Sequence, residues 1–156
     1  MPRDLYMKYY LFGAGILLLD QITKYMIRAT MTVGESITLL GDFFRLTYVQ
    51  NTGAAFSMLS GERAVLVALP LLIVFCALWY FPKHPGKHWL FYTSWMMIIA
   101  GGIGNLIDRV IFGWVTDMLD FSIFPPVFNI ADIGVIIGCA MFMIYILMEE
   151  RLQKHE

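Results

Sequence analysis

The sequence predicts an α-helical membrane protein of one domain: four transmembrane helices, a small outward-facing β-hairpin or cradle, and a short surface helix. Three observations lead there. Hydrophobic residues make up 59% of the 156 and charged residues 15%, whereas a soluble domain is nearer half apolar and a quarter charged. The mean hydropathy is +0.68. The apolar residues gather into runs near the ~20 residues that cross a bilayer, at about 9–27, 64–81, 89–106 and 130–148. The chain is long enough for one domain and short for two. A net charge of −1 gives no reason to expect a nucleic-acid partner.

The first run holds Asp20 and Lys24, four apart and therefore on one helical face. They read either as a self-neutralising pair or as support for a functional site. No small-residue cleavage site follows, so the run is expected to be retained as a span. Residues 31–63 differ in character. Two β-prone runs flank the turn dipeptide Gly41-Asp42, which predicts a hairpin. Phe43, Phe44 and Tyr48 suggest that it rests on the membrane surface. Asn51-Thr-Gly-Ala-Ala-Phe56 comes next. The small side chains of Gly53, Ala54 and Ala55 let another chain come close, and Asn51 offers both a donor and an acceptor.

In the second run Pro70 can kink the helix. The connector after it carries Lys83 and Lys87 and no acid, which places it in the cytoplasm by the positive-inside rule. Four spans then put both termini there and the hairpin outside. Small residues end the third run, and Gly134 and Gly138 give the fourth a Gly-x-x-x-Gly packing face. Cys76 and Cys139 lie within apolar runs and read as small core residues. No Ser-His or Cys-His arrangement is evident and no cluster has metal-ligand spacing, so neither a cofactor nor a metal is expected.

The polar residues concentrate between Gly101 and Asp132, where Asp108, Asp117, Asp120 and Asp132 accompany two asparagines and Arg109. Ionisable groups at a membrane border are functional candidates by default. On a continuing helix Asn105, Asp108 and Arg109 share a face, and Asp108 with Arg109 reads as a structural pair tying the helix end to the loop. Asn129 and Asp132 stand three apart where the fourth span begins, with Asp117 in the loop that returns to the same border. If Asp117 and Asp132 meet, they share a proton, as in an aspartic protease. Intramembrane acids also mark ion pathways, but paired repeats and broken helices, the marks of a transporter, are not evident.

Five stretches, in this order, resemble the bacterial lipoprotein signal peptidases (signal peptidase II): Asp20-Gln-Ile-Thr-Lys24, Asn51-Thr-Gly-Ala-Ala-Phe56, Gly101-Gly-Ile-Gly-Asn-Leu-Ile-Asp-Arg109, Val115-Thr-Asp-Met-Leu-Asp-Phe121 and Phe128-Asn-Ile-Ala-Asp132. The resemblance implies a multi-pass aspartic endopeptidase of the bacterial inner membrane. Such an enzyme removes signal peptides from diacylglyceryl-modified prolipoproteins, cutting before the lipidated cysteine. It implies Asp117 and Asp132 as the catalytic pair. Asn51, Gly53, Ala55, Asn105, Arg109, Asn129 and Ala131 would line the site, and Asp20 and Lys24 would support it. Asp108 and Asp120 would be non-catalytic. Membrane lipid and cyclic depsipeptide inhibitors of the globomycin type are the further partners it implies.

Overall fold

The computed structural model describes residues 3–53, 63–81, 83, 86 and 88–153. Ala54, Ala55 and the surface helix expected after Asn51 lie outside them, as does Lys87. The elements run α1 (Arg3–Thr30), β1 (Ser36–Leu40), β2 (Phe44–Asn51), α2 (Arg63–Tyr80), α3 (Trp89–Ile111), β3 (Val115–Phe121), β4 (Phe124–Phe128) and α4 (Ile130–Gln153).

α3 and α4 are long and apolar enough to cross a membrane, while the apolar part of α2, Ala64–Tyr80, is shorter. α1 is longer than its apolar run and carries Asp20, Lys24 and Arg28 on one side. On the outer surface Leu11, Leu18, Leu71, Phe75, Ile136 and Met143 are among many exposed apolar residues. So continuous an apolar exterior marks a face that meets something other than water. Cys76 and Cys139 are exposed, which corrects the expectation that they fill the core. α2 stays helical through Pro70.

α3 is the central helix and packs on α1, α2 and α4. Its small residues make that possible. A Cβ on Gly101 would strike the Ala131 carbonyl oxygen and come 2.8 Å from Val135, and one on Gly138 would come 2.9 Å from the Ser94 carbonyl oxygen. Far from the site, Phe81, Phe91, Tyr92, Met96 and Tyr145 fill a core between the helices.

The hairpin is present, with Gly41 at a positive φ of 49° in its turn. It belongs to something larger. The sheet has four antiparallel strands in the order β1-β2-β3-β4, and the segment read as an Asp-rich loop is strand β3. Residues 115–118 of β3 are all buried, so no polar/apolar alternation betrays the strand. Gly113, at φ 88°, turns the chain from α3 into it. Tyr48 points inward to Ile27, Met31 and Met118 and does not lie on the outer surface as expected. A register shift explains how: Leu46 opposes Leu119 but Val49 opposes Asp117, so β2 holds one extra residue there. Such a bulge re-aims side chains beside a site.

Gly101→Ala should lower stability by about 1–3 kcal/mol through overpacking. Gly15→Ala, with nothing within 4 Å of the new Cβ, should be neutral or stabilising. Thermal unfolding in detergent compares them, and equal losses would contradict this account of the α3–α4 approach.

Candidate active site

The site begins with the cap of α4. Asn129 precedes the helix, and its Oδ1 accepts from the Asp132 backbone N–H at 2.9 Å. Asp132 Oδ2 in return accepts from the Asn129 backbone N–H at 3.2 Å. This reciprocal arrangement is a capping box built from Asn and Asp. It fixes the Asp132 carboxylate at the start of the helix. The next backbone donor, Ala131 N–H, is taken by Asp20 Oδ1 of α1 at 2.9 Å.

The same Asn129 reaches the second acid. Its Nδ2 donates to Asp117 Oδ1 at 2.6 Å and also to Asn105 Oδ1 at 3.1 Å. Asn51 Nδ2 donates to Asp117 Oδ2 at 3.0 Å, and its Oδ1 accepts from Gly53 N–H at 2.9 Å. Asn105 Nδ2 donates to Asp132 Oδ1 at 2.7 Å. Arg109 Nη2 donates to the Gly53 carbonyl at 3.0 Å, tying the segment after Asn51 to α3. Asp117, Asp132, Asn51, Gly53, Asn105, Arg109, Asn129 and Ala131 therefore come together, the grouping that the family resemblance implied. Ala55 lies outside the described residues.

Asp117 lies on β3, outside the helices. Burial pushes its carboxyl up and the Asp132 charge adds to that, while the Asn51 and Asn129 hydrogen bonds and Lys24 oppose them, and the outcome is a pKa of about 7. A pair in which one member holds its proton near neutrality can act as acid and base together.

Beneath the site lies a layer of buried charge. Lys24 Nζ is 2.9 Å from Asp20 Oδ2, donates to Asn105 Oδ1 at 2.9 Å, and stands 3.7 Å from Asp108 Oδ2. Arg28 Nη1 bonds Asp108 Oδ1 at 3.3 Å and donates to Thr116 Oγ1 at 2.9 Å. Asp108 Oδ2 accepts from Thr116 N–H at 2.8 Å. Asp108 thus pairs with Arg28 and Lys24 of α1 and anchors β3 one residue before Asp117, and its charge also acts on Arg109, the partner expected from the sequence. Asp20 and Lys24 pair with each other, and they also bond the Ala131 amide and Asn105. Asp120 lies away from the pair, held by Arg45 and Thr47 across the β2–β3 ladder. The sequence reading missed Arg28 and Thr116. The signal for Arg28 was there, since 20, 24 and 28 continue the four-residue spacing.

Asp117, Asp132, Asn51, Asn105 and Arg109 stand at the polar end of a cavity of about 700 Å³. Leu69, Ile73 and Val74 of α2, Val135 and Ile136 of α4, and Phe124 and Val127 of β4 form its apolar walls. The volume and the few convergent polar groups are those of a ligand pocket.

Fold and site together define a membrane enzyme. A solved structure described as a bacterial membrane enzyme, determined by the in meso method at 2.3 Å, matches with a TM-score of 0.88 and 30% identity over 99% of this chain and 94% of that one. A second, at 1.9 Å, matches with a TM-score of 0.80 and 32% identity over 93% and 94%. The chain belongs to the signal peptidase II family, whose model, "Signal peptidase (SPase) II", matches residues 13–148. The lipoprotein signal peptidase of Halothermothrix orenii is 43% identical over 88% of this chain and 93% of its own length. That of Moorella thermoacetica is 37% identical over 96% and 99%, and that of Staphylococcus aureus strain MRSA252 33% identical over 96% and 97%.

Asp108→Asn should cost about 3–5 kcal/mol, because it takes the carboxylate partner from Arg28 and leaves Lys24 with Asp20 alone. Asp120→Asn, whose partner Arg45 is 44% exposed, should cost no more than ~1 kcal/mol. Thermal denaturation of the two purified variants tests this, and a larger loss for Asp120→Asn would reverse the assignment.

Proposed function

We propose that the protein is a membrane aspartic endopeptidase that removes the signal peptide from diacylglyceryl-modified prolipoproteins, cutting before the lipidated cysteine. The observation that carries this reading is the Asn129 bridge: one residue holds Asp117 by its side chain and Asp132 by its backbone, at the polar end of an apolar groove. Family membership supports the same reading.

The pair, sharing one proton, activates water. The ionised carboxylate takes a proton from water as its oxygen attacks the scissile carbonyl carbon, and the neutral one donates to the carbonyl oxygen. The tetrahedral species then collapses, the C–N bond breaks and the departing amine takes a proton from the pair. This route passes through no acyl-enzyme. The apolar groove suits a signal helix and acyl chains, which hold the bond at the depth of the carboxylates. Inhibitors of the globomycin type would fill that groove.

In this reading all four helices span the inner membrane. The termini and the Lys83 connector face the cytoplasm, and the sheet and site face outward. The apolar exterior of α1, α2 and α4 supports it, as does the clustering of buried acids at one end.

Asp117→Asn and Asp132→Asn should each abolish cleavage of a diacylglyceryl-modified precursor, by at least about a hundredfold for loss of an acid or base, with membrane insertion intact. The unmodified precursor should be cut poorly by the unsubstituted enzyme. A mobility shift on matched substrates reads both, and full turnover by either variant would refute the pair.

The pH dependence follows from Asp117. Its raised pKa of about 7 means that the neutral acid is present below that value and lost above it. kcat/KM should therefore fall as pH rises through about 7, and a rate that climbs through that range would contradict the shared-proton mechanism.

A further inference from the structure

Lys24 is completely buried and lies outside the carboxylate pair, and no step of the chemistry above is assigned to it. Its surroundings say what it does. An ammonium can only donate hydrogen bonds. Facing Asn105, it requires the amide oxygen on its own side, and the structure has that oxygen there at 2.9 Å. The NH₂ group of Asn105 is then left to face Asp132 Oδ1 at 2.7 Å, where it can only donate.

The other two asparagines obey the same logic. Gly53 N–H, a donor only, claims the oxygen of Asn51 and turns its NH₂ to Asp117. Asp132 N–H claims the oxygen of Asn129 and turns its NH₂ to Asp117 and Asn105. Every chain of donors starts at a group that cannot accept and ends on a carboxylate oxygen. Lys24 differs from the two backbone starters because it is charged, so it polarises the bond beyond it as well as orienting it.

Resting on the reading of Asp117 and Asp132 as the reacting pair, we infer that Lys24 is a positioning residue for that pair. It acts through Asn105, orienting and polarising that amide so that the Asp132 carboxylate meets a strong donor. The charged groups around Lys24 are Asp20 and Arg28 of α1, Asp108 and Arg109 of α3, Asp117 of β3 and Asp132 of α4. Asp20 and Asp108 are in direct ionic contact with it, so its charge is balanced locally. The amide relay is its hydrogen-bonded route to Asp132.

The test is a double-mutant cycle of Lys24→Met and Asn105→Ala, read as the acid limb of the kcat/KM–pH profile. Lys24→Met alone should move that limb up by about one pH unit, the scale of losing a nearby opposite charge. In the Asn105→Ala background the same substitution should move it by less than half as much. Lys24→Arg, still a donor only, should keep the limb in place even where the rate falls. Equal shifts in both backgrounds would mean that the lysine acts through space and would overturn the relay. An unmoved limb in Lys24→Met, with only a fall in folded protein, would reduce it to a structural ion and overturn it as well.

Asp20→Asn/Lys24→Met keeps the buried pair neutral should the single variant fold poorly, and the relay requires the same shift from it. Where Asn105→Ala turns over too slowly, the infrared carboxylic-acid band that Asp132→Asn removes reports the same cycle without turnover. Loss of the relay would leave the proposed function standing, because that reading is tested separately by the activity of Asp117→Asn and Asp132→Asn.

Discussion

Asp20, Lys24 and Arg28 follow one another at single-turn intervals along α1 and meet Asp108 of α3 in a stack of alternating charge, with Asp20, Lys24 and Asp108 fully buried. Breaking a buried pair by removing one partner costs several kcal/mol because the survivor is stranded. That sets the register of α1 on α3. Apolar helices in lipid gain little from any particular register by hydrophobicity alone. Here a slide of one turn would set like charges against each other. The stack also reaches beyond the two helices. Asp20 spends its second oxygen on the Ala131 amide of α4, and Asp108 spends one on the Thr116 amide of β3. The residues just after those two amides are Asp132 and Asp117. Each proposed catalytic acid is therefore placed by a backbone bond to a structural acid one residue before it.

Close packing is the condition for this placement. A Cβ on Gly104 would lie 2.6 Å from Asp20 Oδ2, so the carboxylate fits only because α3 is bare at that point. Gln21 completes the contact by donating to the Gly104 carbonyl and to Asp20. Glycine in a helix interior is destabilising by roughly 0.5–1 kcal/mol relative to alanine. Gly101 and Gly104 both accept that penalty, and the gain is contact of α1 and α4 with the same face of α3, while Gly102 makes room for Val74 of α2.

Much of this was legible in the sequence, and the parts that were not have physical reasons. The helices announce themselves by length and apolarity, the pair Asp20 and Lys24 by four-residue spacing, and the hairpin by Gly41-Asp42. The grouping of Asp117, Asp132 and the asparagines came from the family resemblance. Spacing could show that Asn129 and Asp132 lie near each other on a helix, but it could not bring Asp117 to them. That takes a strand, and β3 hides itself because both its faces are covered and two aspartates sit in it, a residue type depleted in strands. The further partners of Asp108 and Arg109 were hidden for a related reason. Adjacent helical residues point in different directions, so Asp108 turned to α1 and Arg109 to the Gly53 carbonyl.

The two acids, though bridged by one asparagine, sit in different fields. Asp132 stands in the first turn of α4, at the positive end of the helix dipole. Asp117 stands on a strand, with no dipole behind it and side-chain amides as its hydrogen-bond donors. In the proposed mechanism one carboxylate serves as acid and the other as base, and unequal surroundings push their proton affinities apart. The asymmetry here follows from secondary structure, since one carboxylate is delivered by a helix start and the other by a strand. It follows that the join between β4 and α4, a single residue long, does two jobs. Asn129 ends the strand side, begins the helix, and its one side chain spans the two fields.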